Sequence, residues 1–155
     1  MKESLTALKN QIVNNVSYLT EGHGYIKSDS WDLIQKDKFP FFNIVNVGTK
    51  IIEVPRMSFK EAERHIIDFQ IEYAVSSFDI NELYEGDSNN VGIDEFTEDI
   101  WSAIKTDFTL NGVVDGQPVD DEGMEWEAAP GILKPNLAYI AGYTMRLKFY
   151  KDYFV

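Results

Sequence analysis

The first apolar positions of the chain, Leu5, Leu8, Ile12, Val16 and Leu19, recur at helical spacing, with Lys9, Asn10, Asn14 and Asn15 on the other side. The spacing predicts an amphipathic helix with Ser4 as its N-cap. Glu21-Gly22-His23-Gly24 ends it, and Trp31, Leu33 and Ile34 fit a short helical turn before Phe39-Pro40. The chain is β-branched and aromatic from 41 to 47 and again from 51 to 54. Gly48-Thr49 splits the two runs and Pro55 stops the second, which predicts two short strands or a hairpin at an edge. Ile67, Phe69, Ile71, Tyr73 and Val75 then alternate with Asp68, Gln70, Glu72 and Ser76, the period of a strand with one wet face.

An acidic stretch from Asp79 to Asn90 reads as a loop. Beyond it, Phe96, Ile100, Trp101, Ile104 and Phe108 form the stripe of a second helix, with Asp94, Glu95 and Glu98 at the positive end of its dipole and Asn111-Gly112 closing it. Met124, Trp126 and Ala128 alternate with Glu125 and Glu127. Leu137, Tyr139, Ala141, Tyr143, Met145, Leu147 and Phe149 alternate over a long final strand. The order predicts one α+β domain over residues 1–155. Its sheet is antiparallel, with a mixed sheet as the alternative, has four to five strands, and carries two main helices packed on one face. The final strand and the strands near Phe41 are the expected exposed edges.

Charge sharpens this picture. The formal net charge is −12, and residues 79–127 hold fifteen acids against a single base, Lys105, which leaves the rest of the chain slightly positive. Such a region repels phosphate, so it fits an acidic partner-binding face, a wall that DNA passes without sticking, or a solvated face that maintains solubility. The chain has no cysteine, which excludes disulfides, thiolate metal sites and a cysteine nucleophile. No secretory leader pattern or membrane-length apolar run is expected, so the chain reads as made and used in water.

Candidate chemistry is sparse. His23 and His65 lack a second histidine at ligand spacing, and there is no Gly-x-Ser-x-Gly, Walker loop or dinucleotide fingerprint. Residues Asp87 to Glu98 match a calcium loop at its first, third, sixth and twelfth positions, but Val91 stands where an oxygen ligand belongs. The stretch reads as a helix start. Asp120-Asp121 could supply paired carboxylates, although such pairs are expected by chance among 26 acids. No catalytic, metal or cofactor-binding residue is assigned, and the expectation is a protein that is not an enzyme.

Three phrases carry a resemblance. They are Phe39-Pro40-Phe41-Phe42-Asn43-Ile44-Val45-Asn46-Val47, Asp107-Phe108-Thr109-Leu110-Asn111-Gly112-Val113-Val114 and Tyr143-Thr144-Met145-Arg146-Leu147-Lys148-Phe149-Tyr150. With the order of elements along nearly the whole chain, they resemble the tail-terminator (tail-completion) proteins of long-tailed bacteriophages. The segment from Glu21 to Lys38 matches nothing in that pattern. The resemblance implies a homohexameric ring at the head-proximal end of the tail tube, in the virion at the tail–neck junction after assembly in the host cytoplasm. Such a ring stops tube growth and contacts the tail tube protein on one face and the head-completion or connector protein on the other. DNA passes through it without specific binding, and no membrane is involved.

Under this reading Asp115, Asp120, Asp121 and Glu122 are the candidates for the lumen or tube face. Phe41 and Phe42 are the candidates for subunit contact, with a place in the core as the competing reading. Three alternatives are another neck or connector adaptor, an acidic DNA-mimic inhibitor of a basic protein, and a metal-dependent enzyme using paired carboxylates.

Overall fold

The computed structural model describes residues 2–19, 39–54, 62–87, 90–117, 125–128 and 139–154. In chain order these form α1 (Lys2–Asn15), β1 (Phe41–Val54), β2 (Ala62–Ser77), α2 (Ile80–Glu85), α3 (Ile93–Lys105), β3 (Glu125–Ala128) and β4 (Tyr139–Phe154). The protein is α+β, with an antiparallel sheet and helices. The sheet runs β1-β2-β4-β3, so three long strands carry it and the short β3 lies along part of β4.

β2 is the spine. It pairs with β1 from Phe41↔Ala74 to Val54↔Ala62 and with β4 from Ala62↔Phe154 to Ser77↔Tyr139. Its alternation decides which way the sheet faces. Ile67, Phe69, Ile71, Tyr73 and Val75 are buried on one side, joined by Phe42 and Ile44 of β1 and by Ala141, Met145, Leu147 and Phe149 of β4. Leu8 and Ile12 of α1, Leu83 of α2, and Phe96, Ile100 and Ile104 of α3 close this layer. A small second cluster of Phe41, Ala74 and Ile140, with Phe39 packed on it, occupies the opposite face at one corner.

Several elements differ from the sequence reading. Residues 41–54 make one strand, because the break at Gly48 is a bulge: the register shifts between Asn46 and Gly48, and the Gly48 N–H donates to Asn46 Oδ1 at 2.9 Å. α1 begins at Lys2, which places Ser4 inside its first turn, buried, where it is no cap. The acidic stretch after Asp79 contains α2. Asp79 caps it by accepting the Asn81 N–H at 2.9 Å, and Ser77 Oγ donates to Glu82 Oε2 at 2.9 Å. α3 stops at Lys105, ahead of Asn111-Gly112, and a separate turn follows.

Two local devices fix the helical layer. Gln11 Nε2 on α1 donates to the carbonyls of Ala103, Ile104 and Asp107 at 3.0, 3.0 and 2.8 Å, adding to the backbone bonds these carbonyls accept from the N–H groups of Thr106, Asp107 and Leu110 at the end of α3. α2 meets α3 through two glycines. Gly86 has φ +72°, and a Cβ on Gly92 would collide with the carbonyl of Tyr84 and the amide of Gly86. We expect Gly92→Ala to cost about 1–3 kcal/mol in urea unfolding, as forced overpacking does. Gly48→Ala, whose Cβ would enter open space, should fall within roughly 0.5 kcal/mol of wild type.

Candidate functional site

The acidic surface belongs to the helical layer. From Asp79 to Asp107 there are nine acids and one base, Lys105. Asp94, Glu95 and Glu98 stand exposed along α3, and Asp79 and Glu85 stand exposed at the two ends of α2. Their placement follows from amphipathicity: the stripe through Phe96, Ile100 and Ile104 faces the sheet, so the carboxylates between them face water. The first-turn acids Asp94 and Glu95 and the last-turn Lys105 also complement the α3 dipole.

Asp99 on this helix is tied inward. Tyr18 donates its hydroxyl to Asp99 Oδ2 at 2.6 Å, and its ring meets Phe96 edge-on at 5.9 Å between centroids. Burial, reinforced by the Asp99 carboxylate, holds the Tyr18 phenol well above the usual range. Burial does the same to Tyr73, whose hydroxyl bonds Thr97 Oγ1 at 2.8 Å, and to Tyr143, which also feels Asp94.

The second surface is β1. It is the first strand of the sheet, and among the described residues nothing pairs with its outer side. Val45, Val47 and Ile51 are 39 %, 44 % and 57 % exposed along it, with Lys50 beside them. The other long strand expected at an edge, β4, lies inside the sheet between β2 and β3. Further along, Tyr150 of β4 exchanges backbone hydrogen bonds with Asp115 and Gly116, at 2.8 and 2.9 Å.

That bridge gives Asp115 a local task. Its N–H donates to the Tyr150 carbonyl, and its carboxylate accepts the Asp152 N–H at 2.7 Å, closing the β4 edge. Asp120, Asp121 and Glu122 lie outside the described residues, as does His23. The structure therefore does not bring the four acidic candidates together. Phe41 and Phe42 are both fully buried within the subunit, on opposite faces of the sheet, so neither offers surface to a neighbour. The pattern Phe41-Phe42-Asn43-Ile44 marks a strand covered on both sides at this corner, which explains why consecutive phenylalanines are both buried.

The remaining polar clusters are structural. Asp87 accepts the Asn90 N–H at 2.7 Å, within the stretch compared with a calcium loop. Asp107 accepts from Thr109 Oγ1, Thr109 N–H and Asn111 N–H at 2.6, 2.9 and 2.9 Å. These bonds hold its carboxyl below the usual range and brace Leu110 and Asn111 at φ 50° and 60°. His65 Nε2 lies 2.7 Å from Glu63 Oε1. Arg64 grips Asp152 through two bonds of 2.7 and 2.9 Å and stacks over Tyr150, and Arg146 pairs with Asp68 at 2.7 Å. A groove of about 720 Å³ between α1 and the turn after α3 is lined by amides and hydroxyls such as Thr6, Asn10, Asn14 and Asn111. Among the described residues no cluster of three or more histidine or acidic side chains is placed to hold a metal, and no helix is long and apolar enough to cross a membrane. No protein-family profile matches the chain, and no curated protein matches it.

Two outcomes test this account. Asp115→Ala should cost roughly 0.5–1.5 kcal/mol and speed hydrogen exchange at the Asp152 amide, while Asp115→Asn, which keeps an acceptor, should recover most of the loss. The raised phenols of Tyr18, Tyr73 and Tyr143 mean that the folded state favours their neutral forms. The stability they contribute is complete below the unfolded phenol value of about 10 and is lost as pH rises beyond it. A spectrophotometric titration should show Tyr18 and Tyr73 ionising only as near-ultraviolet dichroism collapses. Ionisation of all eight tyrosines in a folded protein would contradict it.

Proposed function

We propose that this chain is a structural assembly subunit that forms a ring, and that the ring is the terminator of a bacteriophage tail tube. The observation that carries the assembly reading is the outer edge of β1, a long strand with which no other described strand pairs on that side and which exposes Val45, Val47 and Ile51. Open edges of this kind recruit another chain. A closed ring satisfies them through heterologous contacts, in which two different patches meet. The acidic α2–α3 layer supports the second half of the reading, because carboxylates repel a DNA backbone passing nearby. The tail-terminator role rests on the phrases around Phe39–Val47, Asp107–Val114 and Tyr143–Tyr150, and with it go a complete sheet of four to five strands, six subunits, and partners in the tail tube protein and the head connector.

The same acidic layer favours a second reading, a free inhibitor that presents DNA-like charge to a basic protein. Solution state separates the two. Purified protein should give six-fold rings with a central hole in negative-stain class averages. Val45→Lys with Val47→Lys should leave circular dichroism unchanged and abolish the rings, since edge lysines block strand recruitment. Rings that survive both substitutions would remove β1 from the contact. A monomer at every concentration that binds a cationic protein with steep salt dependence would favour the inhibitor.

A further inference from the structure

The groove between α1 and the turn after α3 is used neither by the core nor by the ring reading. We propose that it binds a short, uncharged segment of a partner protein in extended conformation. This inference stands on its own observations and does not depend on the ring.

Its volume of about 720 Å³ is that of a ligand-sized cleft. One wall is α1, where Thr6, Asn10 and Asn14 stand exposed, four residues apart on one ridge. The other is the turn after α3, which presents Asn111. Gln11 sets the distance between the walls, because its three bonds tie α1 to the carbonyls of Ala103, Ile104 and Asp107. Asp107 in turn bonds Thr109 and Asn111 and so holds the turn itself. The cleft is preformed, and a ligand does not bear the cost of ordering it.

The lining selects the chemistry of that ligand. The carboxamides of Gln11 and Asn15 are spent on backbone carbonyls, whereas those of Asn10, Asn14 and Asn111 bond no described residue. Each of these three offers both donors and an acceptor. Charge is balanced: Lys2 is offset by Glu3, and the Asp107 carboxylate accepts three bonds from its own turn. Ala7 and Val113, partly buried against the core, add apolar lining. No aromatic side chain is among the lining residues. The site therefore suits a neutral chain that carries donors, acceptors and small apolar groups in alternation.

An extended polypeptide edge meets that description in spacing as well as chemistry. Four helical steps advance about 6 Å, and two residues of an extended strand advance about 6.6 Å. Thr6, Asn10 and Asn14 thus address successive peptide groups along one edge of the segment. The ridge spans about 12 Å, room for about four extended residues. Side chains at alternate positions then turn toward Ala7 and Val113. An oligosaccharide finds no aromatic face here on which to stack, and a nucleic acid finds neither such a face nor an unbalanced cation.

The test uses the full chain. A displayed library of random dodecapeptides is selected on immobilised wild type, and the strongest peptide is titrated into isotope-labelled protein, whose asparagine side-chain NH2 signals report the site directly. Enriched peptides should be uncharged and rich in β-branched residues, and should shift the Asn10, Asn14 and Asn111 carboxamide signals. Asn10→Ala with Asn14→Ala, changes that exposed helical positions tolerate, should leave thermal unfolding intact and weaken binding ~10-fold or more. No enrichment, a charged consensus, equal binding by the double variant, or shifts confined to β1 would overturn the site. Shifts of the same carboxamides by maltohexaose and by no selected peptide would overturn the peptide in favour of a sugar. Light scattering of the double variant that differs from wild type would assign the groove to a second copy and overturn the separate partner. The presence or absence of rings bears on the ring reading alone.

Discussion

The pairing of β2 on both sides from Ala62 to Ala74 is what the rest of the structure depends on. A strand flanked by β1 and β4 has its backbone donors and acceptors consumed, so its side chains alone decide what each face does. A slip of one residue would turn Phe69, Ile71 and Tyr73 away from the helices and send Asp68, Gln70 and Glu72 into the core. The carboxylates of Asp68 and Glu72 make such a slip prohibitively costly. The register of the central strand therefore fixes where α1 and α3 lie.

From that layer the surface chemistry follows. α3 lands on Tyr73 through Phe96, whose rings meet edge-on at 5.6 Å, and through the bond between Tyr73 and Thr97. α1 is then keyed to α3 by Gln11 and by Tyr18. With both helices held by their apolar stripes, Asp94, Glu95 and Glu98 of α3 are left exposed, while Asp99 is tied inward by Tyr18. The acidic surface is thus a by-product of core packing as well as a candidate for function. For this reason the exposed apolar positions say more about assembly than the charges do: a solvated carboxylate needs no partner, whereas exposed Ile51 or Ile80 carries an unrecovered hydration cost.

The strand edges are treated differently on the two sides of the sheet. Asp115 and Gly116 close part of β4, and β3 covers another part. Among the described residues β1 carries devices that limit indiscriminate pairing, a bulge at Asn46–Gly48 and the exposed Lys50. An edge that is twisted and charged, yet lined with Val45, Val47 and Ile51, is suited to a shaped partner and resists flat stacking of one sheet on another.

The sequence by itself determined the periodic elements. The alternation from Ile67 to Val75 and the stripes through Leu8–Ile12 and Phe96–Ile104 were legible because burial of one face leaves a regular trace at a period of 2 or 3.6. The concentration of acid in one region was legible for the same reason that charge is additive along a chain. Other features depended on neighbours distant in sequence. Gly48 reads as a break, and only pairing with Asp68 makes it a bulge within one strand. Asp79 to Glu85 reads as a polar loop, and α2 forms there because Leu83 finds the core and Gly86 can approach Gly92. Asp115 reads as surface acid until β4 presents the Tyr150 carbonyl and the Asp152 amide to it. Phe41 and Phe42, adjacent in sequence, are buried on opposite sides of the sheet. Local pattern encodes which face a residue belongs to, but what covers that face is a long-range packing decision that only the tertiary structure makes.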